Sequence, residues 1–290
     1  MRIGTRGSAL ALAQAEWVAA RLGSDVEIVK ITTLGDRGAA VADKSRWVSE
    51  LERALLDGRI DVAVHSAKDV PTELTEGLEL VAIPTRADAR DAICGAAALA
   101  HLKPGAKIGT SSVRRRAQIR ATRDDVDVVD LRGNVDTRLR KLAEGQVDAL
   151  VLAYAGLQRL GRDAEAGGVL SELVPAGGQG ALALEAQPDA IGPERLARVS
   201  DPEAMDCVAA ERALVSALGA SCRTPMGAHA RRLEGGELEL VGWVGLPDGS
   251  AWLRDRVRGG AATVGAECAE RMLAAGAAEL LAQAERELAV

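Results

Sequence analysis

The stretch "RIDVAVHSAKDVP", Arg59 to Pro71, opens as a β-type run and ends in a polar junction closed by a rigid Val-Pro pair. Its apolar residues do not alternate with polar ones, the pattern of a strand buried on both faces and covered by helices. The same plan recurs outward from it. "RIGT" (2–5) predicts a strand, followed by a helix from near Ser8 in which Leu12, Ala15, Ala19 and Leu22 share one face and Gly23 supplies the stop. "VEIVKITT" (26–33) predicts the next strand, and after the polar "GDRGAAVADKSR" a helix carries Val48, Leu51 and Leu55, closed by Gly58. Strands that alternate with helices in this way predict α/β layers.

A second unit of the same kind starts after "VAIPTRADAR" (81–90). It holds the strand "AKIGT", a helix from Ser111 or Ser112, the strand "VDVVDLRG", a helix after Asn134 and the strand "VDALVLA". "AGGQGALALEAQPDA" (176–190) contains a strand expected to return to the first unit, so that the chain crosses twice between two lobes and leaves a hinged cleft. The last part of the chain changes character. A helix ("PEAMDCVAAERALVSALG") leads to the turn "GASCRTPMG", then to a hairpin with the turn signal Pro247-Asp248-Gly249, and an Ala/Leu/Glu-rich helix closes the chain. The expected domains are 1–84 with 178–199, then 88–174, then a small α+β domain over 202–290.

Composition excludes several functions. The chain has 290 residues, 48% apolar and 27% charged, the profile of a globular protein with room for more than one core. Aromatic residues are 2% with no Phe, which argues against an aromatic cage or a base-stacking platform, and the net charge of −6 argues against wholesale nucleic-acid binding. Gln14, Glu16 and Arg21 interrupt the apolar start, and no run approaches the ~18–20 apolar residues of a membrane span, so a cytoplasmic protein is expected. Cys94, Cys207, Cys222 and Cys268 lie far apart without a CxxC pair, and three histidines are scattered, so neither a metal centre nor a disulfide framework is expected.

The chemistry gathers at strand-to-helix junctions. "GTRGS" places Arg6 and Ser8 there, "HSAKDVP" Lys68 and Asp69, "GTSSVRRR" Thr110, Ser111, Ser112, Arg114 and Arg115, and "LRGNVDTRLRK" Arg132 and Arg138. Ligands of open α/β sheets collect beyond the carboxyl ends of strands, where helix N-termini present unpaired amides to anions. Residues 101–141 hold eleven Lys or Arg against five Asp or Glu, reversing the sign of the whole chain. A polyanion cleft is the functional reading, and Arg suits carboxylates because its planar fork holds both oxygens. Arg116, Arg120, Arg123 and Arg140 are expected on a solvated helix face. Asp69, an acid among bases, is either a turn cap or a carboxylate that stabilises a cation. Cys222 admits three readings: a small buried residue, a nucleophile without a catalytic signature around it, or a covalent attachment point helped by Arg223.

The blocks "HSAKDVP", "GTSSVRRRAQI", "LRGNVDTRLRKL", "LAYAGLQRLG", "GGQGALALEA" and "GASCRTPMGAHA" together resemble, in order and over nearly the whole chain, the porphobilinogen deaminase (hydroxymethylbilane synthase) family. The resemblance implies two lobes similar to type II periplasmic binding proteins around a cleft, plus the small third domain. It implies an enzyme that joins four porphobilinogen molecules head to tail with loss of ammonia, giving hydroxymethylbilane for tetrapyrrole (porphyrin and haem) synthesis. It also implies a dipyrromethane cofactor held by a thioether to Cys222, and Asp69 as the catalytic aspartate that stabilises the cation left when ammonia departs. Arg6, Ser8, Lys68, Thr110, Ser111, Ser112, Arg114, Arg115, Arg132, Arg138 and Arg159 match the family's cleft residues for the acetate and propionate groups. Gln179 is a further candidate cleft contact, and Lys44 and Trp47 are candidate lid residues. Asp136, beside Arg132 and Arg138, has no account at this level. A monomer without metal, nucleic-acid or membrane partner is expected. Two other classes compete: a non-catalytic anion-binding protein of the periplasmic-receptor type, which leaves Cys222 and the third domain unexplained, and a nucleic-acid binder, which the charge opposes.

Overall fold

The computed structural model describes residues 1–32, 45–220 and 224–289; Lys44, Cys222 and the Trp47 side chain fall outside them. Strand β1 (Arg2–Thr5) leads to helix α1 (Ala9–Leu22). Ser8 starts α1 because its extended backbone (φ −70°, ψ 148°) lets its Oγ accept a hydrogen bond from the Ala11 amide. Strand β2 (Glu27–Lys30) pairs parallel with β1, and helix α2 (Ser45–Leu56) buries Val48, Leu51 and Leu55. Strand β3 (Val62–Ser66) pairs parallel on the other side of β1, then runs into a single 3₁₀ turn, Ala67–Asp69, before β4 (Glu79–Ala82).

The second lobe contains β5 (Asp91–Cys94), β6 (Lys107–Gly109), α3 (Val113–Thr122), β7 (Asp127–Val129), α4 (Val135–Ala143), β8 (Ala149–Ala153), α5 (Tyr154–Arg159) and β9 (Gly168–Leu170). Strand β10 (Leu182–Ala186) then lies in the first sheet, antiparallel between β3 and β4. The two sheets have one plan: orders β2-β1-β3-β10-β4 and β7-β6-β8-β5-β9, each with three parallel strands followed by an antiparallel fourth. In each sheet that fourth strand, β10 or β5, is the one delivered by a crossing from the other lobe.

The crossings, residues 83–90 and 171–181, touch where Ala87 N–H donates to Gly180 O at 3.1 Å. Glycine is required here. Gly178 has φ +76°, and a Cβ on it would stand 2.9 Å from the backbone of Ala67 and Lys68.

After α6 (Pro193–Leu196), α7 (Pro202–Ala217) begins the third domain, capped by Asp201, whose carboxylate accepts from the Glu203 and Ala204 amides. Strands β11 (Met226–Arg232), β12 (Leu238–Gly245) and β13 (Trp252–Gly259) follow, then α8 (Val264–Ala274) and α9 (Ala277–Ala289). The expected hairpin is therefore a three-stranded antiparallel sheet, because "MGAHARR" adds β11 along β12. The single closing helix is two, broken where Gly276 takes φ +96°. One face of the sheet packs on the helices through Leu238, Leu240, Val244, Leu214, Cys268 and Met272.

The third domain leans on both lobes. Ala204 and Val208 of α7 pack with Val70, Ile83 and Ala183 of the first lobe, and Trp243 packs with Ala117 of the second and with Val174. The buried Glu211 of α7 holds this junction. It accepts from Arg86 Nη1 (2.7 Å) and Nη2 (3.0 Å) on one crossing, from Gly178 N (2.6 Å) on the other, and from Ala230 N (2.7 Å) of β11. Burial alone would raise its pKa, but Arg86 and His229 more than offset that and hold it at about 2.

A depressed carboxyl stabilises the fold fully above its unfolded value and loses that contribution as pH falls through the folded one. Glu211 therefore contributes fully above its ordinary value of 4.5 and progressively less toward pH 2. Glu211→Ala is expected to lower unfolding stability by about 3–5 kcal/mol at neutral pH, because it strands Arg86. Denaturant titrations at pH 7 and pH 3 check both points: the gap between parent and variant narrows at the lower pH.

Candidate active site

A cavity of about 350 Å³ opens where the two lobes and the third domain meet. Lys68, Asp69, Val70, Pro71 and Thr72 line it from the first lobe, Ser112, Val113 and Arg114 from the second, and Arg212, Val215, Ala220, Thr224 and Met226 from the third. Local structure puts each group there. Asp69 ends the 3₁₀ turn after β3, so its position follows from a strand held in mid-sheet. Ser112 caps α3, its Oγ accepting from the Arg115 amide at 3.4 Å, which brings a helix N-terminus to the rim.

Behind the rim lies a network whose central group the sequence reading missed. Asp91, at the start of β5, is fully buried. Its Oδ2 accepts from Arg114 Nη1 at 2.8 Å; its Oδ1 accepts from Arg115 Nε (3.0 Å) and Nη2 (2.8 Å) and from Gln179 Nε2 (2.7 Å). Burial pushes the Asp91 carboxyl up, but the two guanidiniums more than offset it and hold it well below the usual carboxylate range. Gln179 is itself a junction: its Oε1 accepts from Lys68 Nζ at 3.2 Å and from Arg115 Nη2 at 3.4 Å, and its Nε2 also donates to Ala89 O. The amide thus joins the base of the Asp69 turn to the second lobe.

Other basic residues expected at the site divide into two groups. Arg138 donates to Ser111 Oγ at 3.0 Å and to Gly133 O, and burial, with Arg115 nearby, lowers its pKa to about 10. Arg159 donates to Gly180 O on the crossing, and burial lowers it to about 10 as well. Arg132 stands apart: its side chain is 77% exposed and pairs with Asp130. Thr110 is buried, with its Oγ1 accepting from the Ser112 amide, so it shapes the α3 entry. Arg6 and Ser8 lie at the β1–α1 junction, half-buried, and α1 packs against α5 of the other lobe.

Two readings of charged residues change. Arg123 is not on a solvated face: it donates to the Leu99 and Leu102 carbonyls and pairs with Asp125. Asp136 accepts from Arg162 Nη1 at 2.6 Å, so its charge is spent on the neighbouring loop rather than on Arg132 or Arg138. Among the described residues no group of three or more His, Cys, Asp or Glu is arranged to hold a metal, and no helix is long and apolar enough to cross a membrane. An open depression of about 570 Å³ beside β13 and α8 is lined by oppositely charged Arg256, Arg258, Glu267, Glu270 and Arg271 and contains none of the expected site residues.

Residues 1–191 match the family model "Porphobilinogen deaminase, dipyromethane cofactor binding domain", and residues 205–274 match "Porphobilinogen deaminase, C-terminal domain". The chain belongs to the porphobilinogen deaminase family. Relatives of that name are 48% identical in Deinococcus radiodurans, over 98% of both chains, and 46% identical in Thermus thermophilus, over 97% of this chain and 98% of the relative. Solved structures match more distantly. A periplasmic substrate-binding protein of an ABC transporter from Coxiella burnetii gives a TM-score of 0.42 at 15% identity, over 73% of this chain and 96% of the other.

Membership of the porphobilinogen deaminase family makes the chain a transferase of tetrapyrrole biosynthesis with a dipyrromethane cofactor. The cavity fits that group. A pair of pyrroles carries four carboxylates, and Lys68, Arg114 and the α3 N-terminus face the same space.

Asp91→Asn is expected to destabilise the protein by about 3–5 kcal/mol, since two buried guanidiniums lose their charge partner. Arg132→Gln, at an exposed pair, is expected to stay within about 0.5 kcal/mol of the parent. Thermal denaturation of the two variants side by side checks the contrast.

Proposed function

We propose that the chain condenses four porphobilinogen molecules head to tail, one ammonia leaving for each carbon–carbon bond formed, and that water then cleaves the bond between the finished tetrapyrrole and its primer, supplying the hydroxyl of the released hydroxymethylbilane. The observation that carries this reading is the composition of one cavity. Asp69 shares it with Ala220 and Thr224, each two residues from Cys222. The cofactor, when bound, supplies the primer pyrroles from which the chain is extended, through a thioether to Cys222. The described cysteines support that choice of sulfur. Burial pushes the Cys94 and Cys268 thiols up to about 11 and raises Cys207 too, which disfavours the thiolate an attachment needs.

The roles of the side chains follow from charge. Each porphobilinogen unit adds an acetate and a propionate, so the growing chain gains two negative charges per step. Lys68, Ser112 and Arg114 on the wall, with Arg6, Ser8, Thr110, Ser111, Arg115, Arg132, Arg138 and Arg159 around it, bind and orient these carboxylates. A charge-assisted hydrogen bond contributes roughly 1.5–3 kcal/mol, so a few suffice to hold the oligomer. Arg138 and Arg159 fit this use: among the described residues their hydrogen-bond partners are all neutral oxygens. Among the described residues Asp69 is the single carboxylate on the wall. Next to pyrrole N–H groups it stabilises positive charge that develops as ammonia leaves and moves a proton at its carboxylate oxygen.

The expected domains, 1–84 with 178–199, 88–174 and 202–290, place Asp69 on the first, Arg114 on the second and Cys222 on the third. The protein works as a cytoplasmic monomer in this reading, with Lys44 and Trp47 in a lid over the cleft. A non-catalytic anion receptor would need the cavity but would have no use for the third-domain cysteine.

Intact-mass measurement of the purified protein is expected to show a covalent excess of two pyrrole units, lost in Cys222→Ser. An unmodified, folded and inactive parent would defeat the reading. Asp69→Asn is expected to slow porphobilinogen consumption by about 10²–10⁴-fold while the thermal midpoint stays near that of the parent. A rate assay on cofactor-loaded protein decides it.

A further inference from the structure

Arg212 comes from α7 in the third domain yet reaches the turn that follows Asp69 in the first lobe. Its Nη1 donates to Val70 O at 3.1 Å, and its Nη2 donates to Pro71 O at 2.6 Å and Thr72 O at 3.1 Å. Three successive carbonyls thus point at one guanidinium. Such an arrangement suits a planar fork that donates from two separate nitrogens; an ammonium has three donors but gathers them on one freely rotating nitrogen, and an amide has only two. Val70 also packs against Ala204 and Val208 of α7, but among the described residues few other backbone hydrogen bonds hold the turn. Val70 N–H reaches back to Ala67 O at 3.2 Å, and Pro71 has no amide hydrogen to give.

Arg212 is half-buried and lines the cavity. Burial lowers its pKa, with Glu185 opposing, and no carboxylate among the described residues lies within ion-pair distance of it. A cation desolvated in this way costs free energy, which the three carbonyls offset only while the turn keeps its shape. The neighbouring residue sharpens the point. Glu211 is clamped to both crossings, and successive helix positions stand about 100° apart, so α7 addresses the crossings with one residue and the Asp69 turn with the next.

We propose that Arg212 is the positioning residue for Asp69: it fixes the 70–72 turn from the third domain, so that the catalytic carboxylate and the domain bearing the cofactor sulfur keep one geometry. This rests on the reading of Asp69 as the catalytic carboxylate. A misplacement of about 1 Å at a reacting group can cost on the order of 100-fold in rate, so a single fork is enough to matter.

The test uses the full-length, cofactor-loaded protein, with rates expressed per molecule carrying the dipyrromethane mass, so that loss of folded protein does not mimic the effect. Arg212→Lys keeps the charge and removes the fork. The expected result is a kcat lower by about 10–100-fold with KM for porphobilinogen within about twofold of the parent. Amide hydrogen exchange in the peptide over residues 66–74 is expected to accelerate. In an Asp69→Asn background the further loss from Arg212→Lys is expected to vanish, since groups that act as one unit are not additive.

An unchanged kcat with unchanged exchange overturns the proposal. So does a raised KM at constant kcat, which would make Arg212 a carboxylate-binding residue, and so does a fully additive double variant. Arg212→Gln, which keeps one amide donor, gives the same readouts if the lysine variant does not fold. A parent protein without pyrrole mass or turnover would instead sink the functional reading, whereas an active parent with an equally active Arg212→Lys sinks only this inference.

Discussion

Two guanidiniums and one carboxylate, removed from water where the chain crosses between its lobes, set the terms for the rest of the molecule. Arg114, Arg115 and Asp91 are almost wholly buried, and such charges are tolerable only when they are paired and hydrogen-bonded. Gln179 adds a partner to Asp91 and to Arg115, and by doing so it draws the second crossing against the first and Lys68 against both. The network carries one more positive than negative charge, which leaves the cavity wall cationic without a loose array of arginines. Order and charge at the site therefore have the same source.

This accounts for a chain that is acidic overall and basic within. Part of the positive charge between residues 101 and 141 is paired locally. Arg123 is tied to Asp125 and two carbonyls, Arg132 to Asp130 and Arg140 to Glu144. Arg138 and Arg159, oriented by neutral oxygens alone, come from two separate helices, α4 and α5. In the proposed reading such distribution suits an oligomer that lengthens, because no single helix then has to meet all its carboxylates.

Much of the fold was legible because strands with apolar runs and helices with caps announce themselves locally. Ser8, Ser112 and Asn134 were readable as helix starts, and each accepts a hydrogen bond from an amide of its own first turn. The direction of β5 and β10 was not legible, since antiparallel placement depends on a crossing whose two halves are some ninety residues apart. β11 was hidden for a related reason: "MGAHARR" lacks a strand's usual apolar density and is a strand because β12 lies beside it. At the site, junction chemistry singles out the α3 rim and leaves Asp69 open between a turn cap and a cation-stabilising carboxylate, so its assignment rests on the family resemblance. Asp91, Glu211 and Arg212 could not be found, because one acid opening an apolar strand and a charged pair inside an apolar helix acquire meaning only with their partners. The Arg86–Glu211 pair spans 125 residues. The one available signal was negative: a charge inside an apolar segment is costly unless something distant satisfies it.

Helix α7 shows how the third domain differs from a mere carrier of the cysteine. Its cap, Asp201, receives no charge partner from the lobes, but its amide donates to Ile83 O on the first crossing. One turn further, Ala204 and Val208 enter the first lobe's core, and Glu211 and Arg212 then take hold of the crossings and the 70–72 turn. A rigid helix pinned at successive positions along its length cannot shift relative to one of these without straining the others. Any movement of the third domain must therefore either carry the crossings and the Asp69 turn with it or be confined to the chain beyond Ala217. Both Ala220 and Thr224 line the cavity beyond that point.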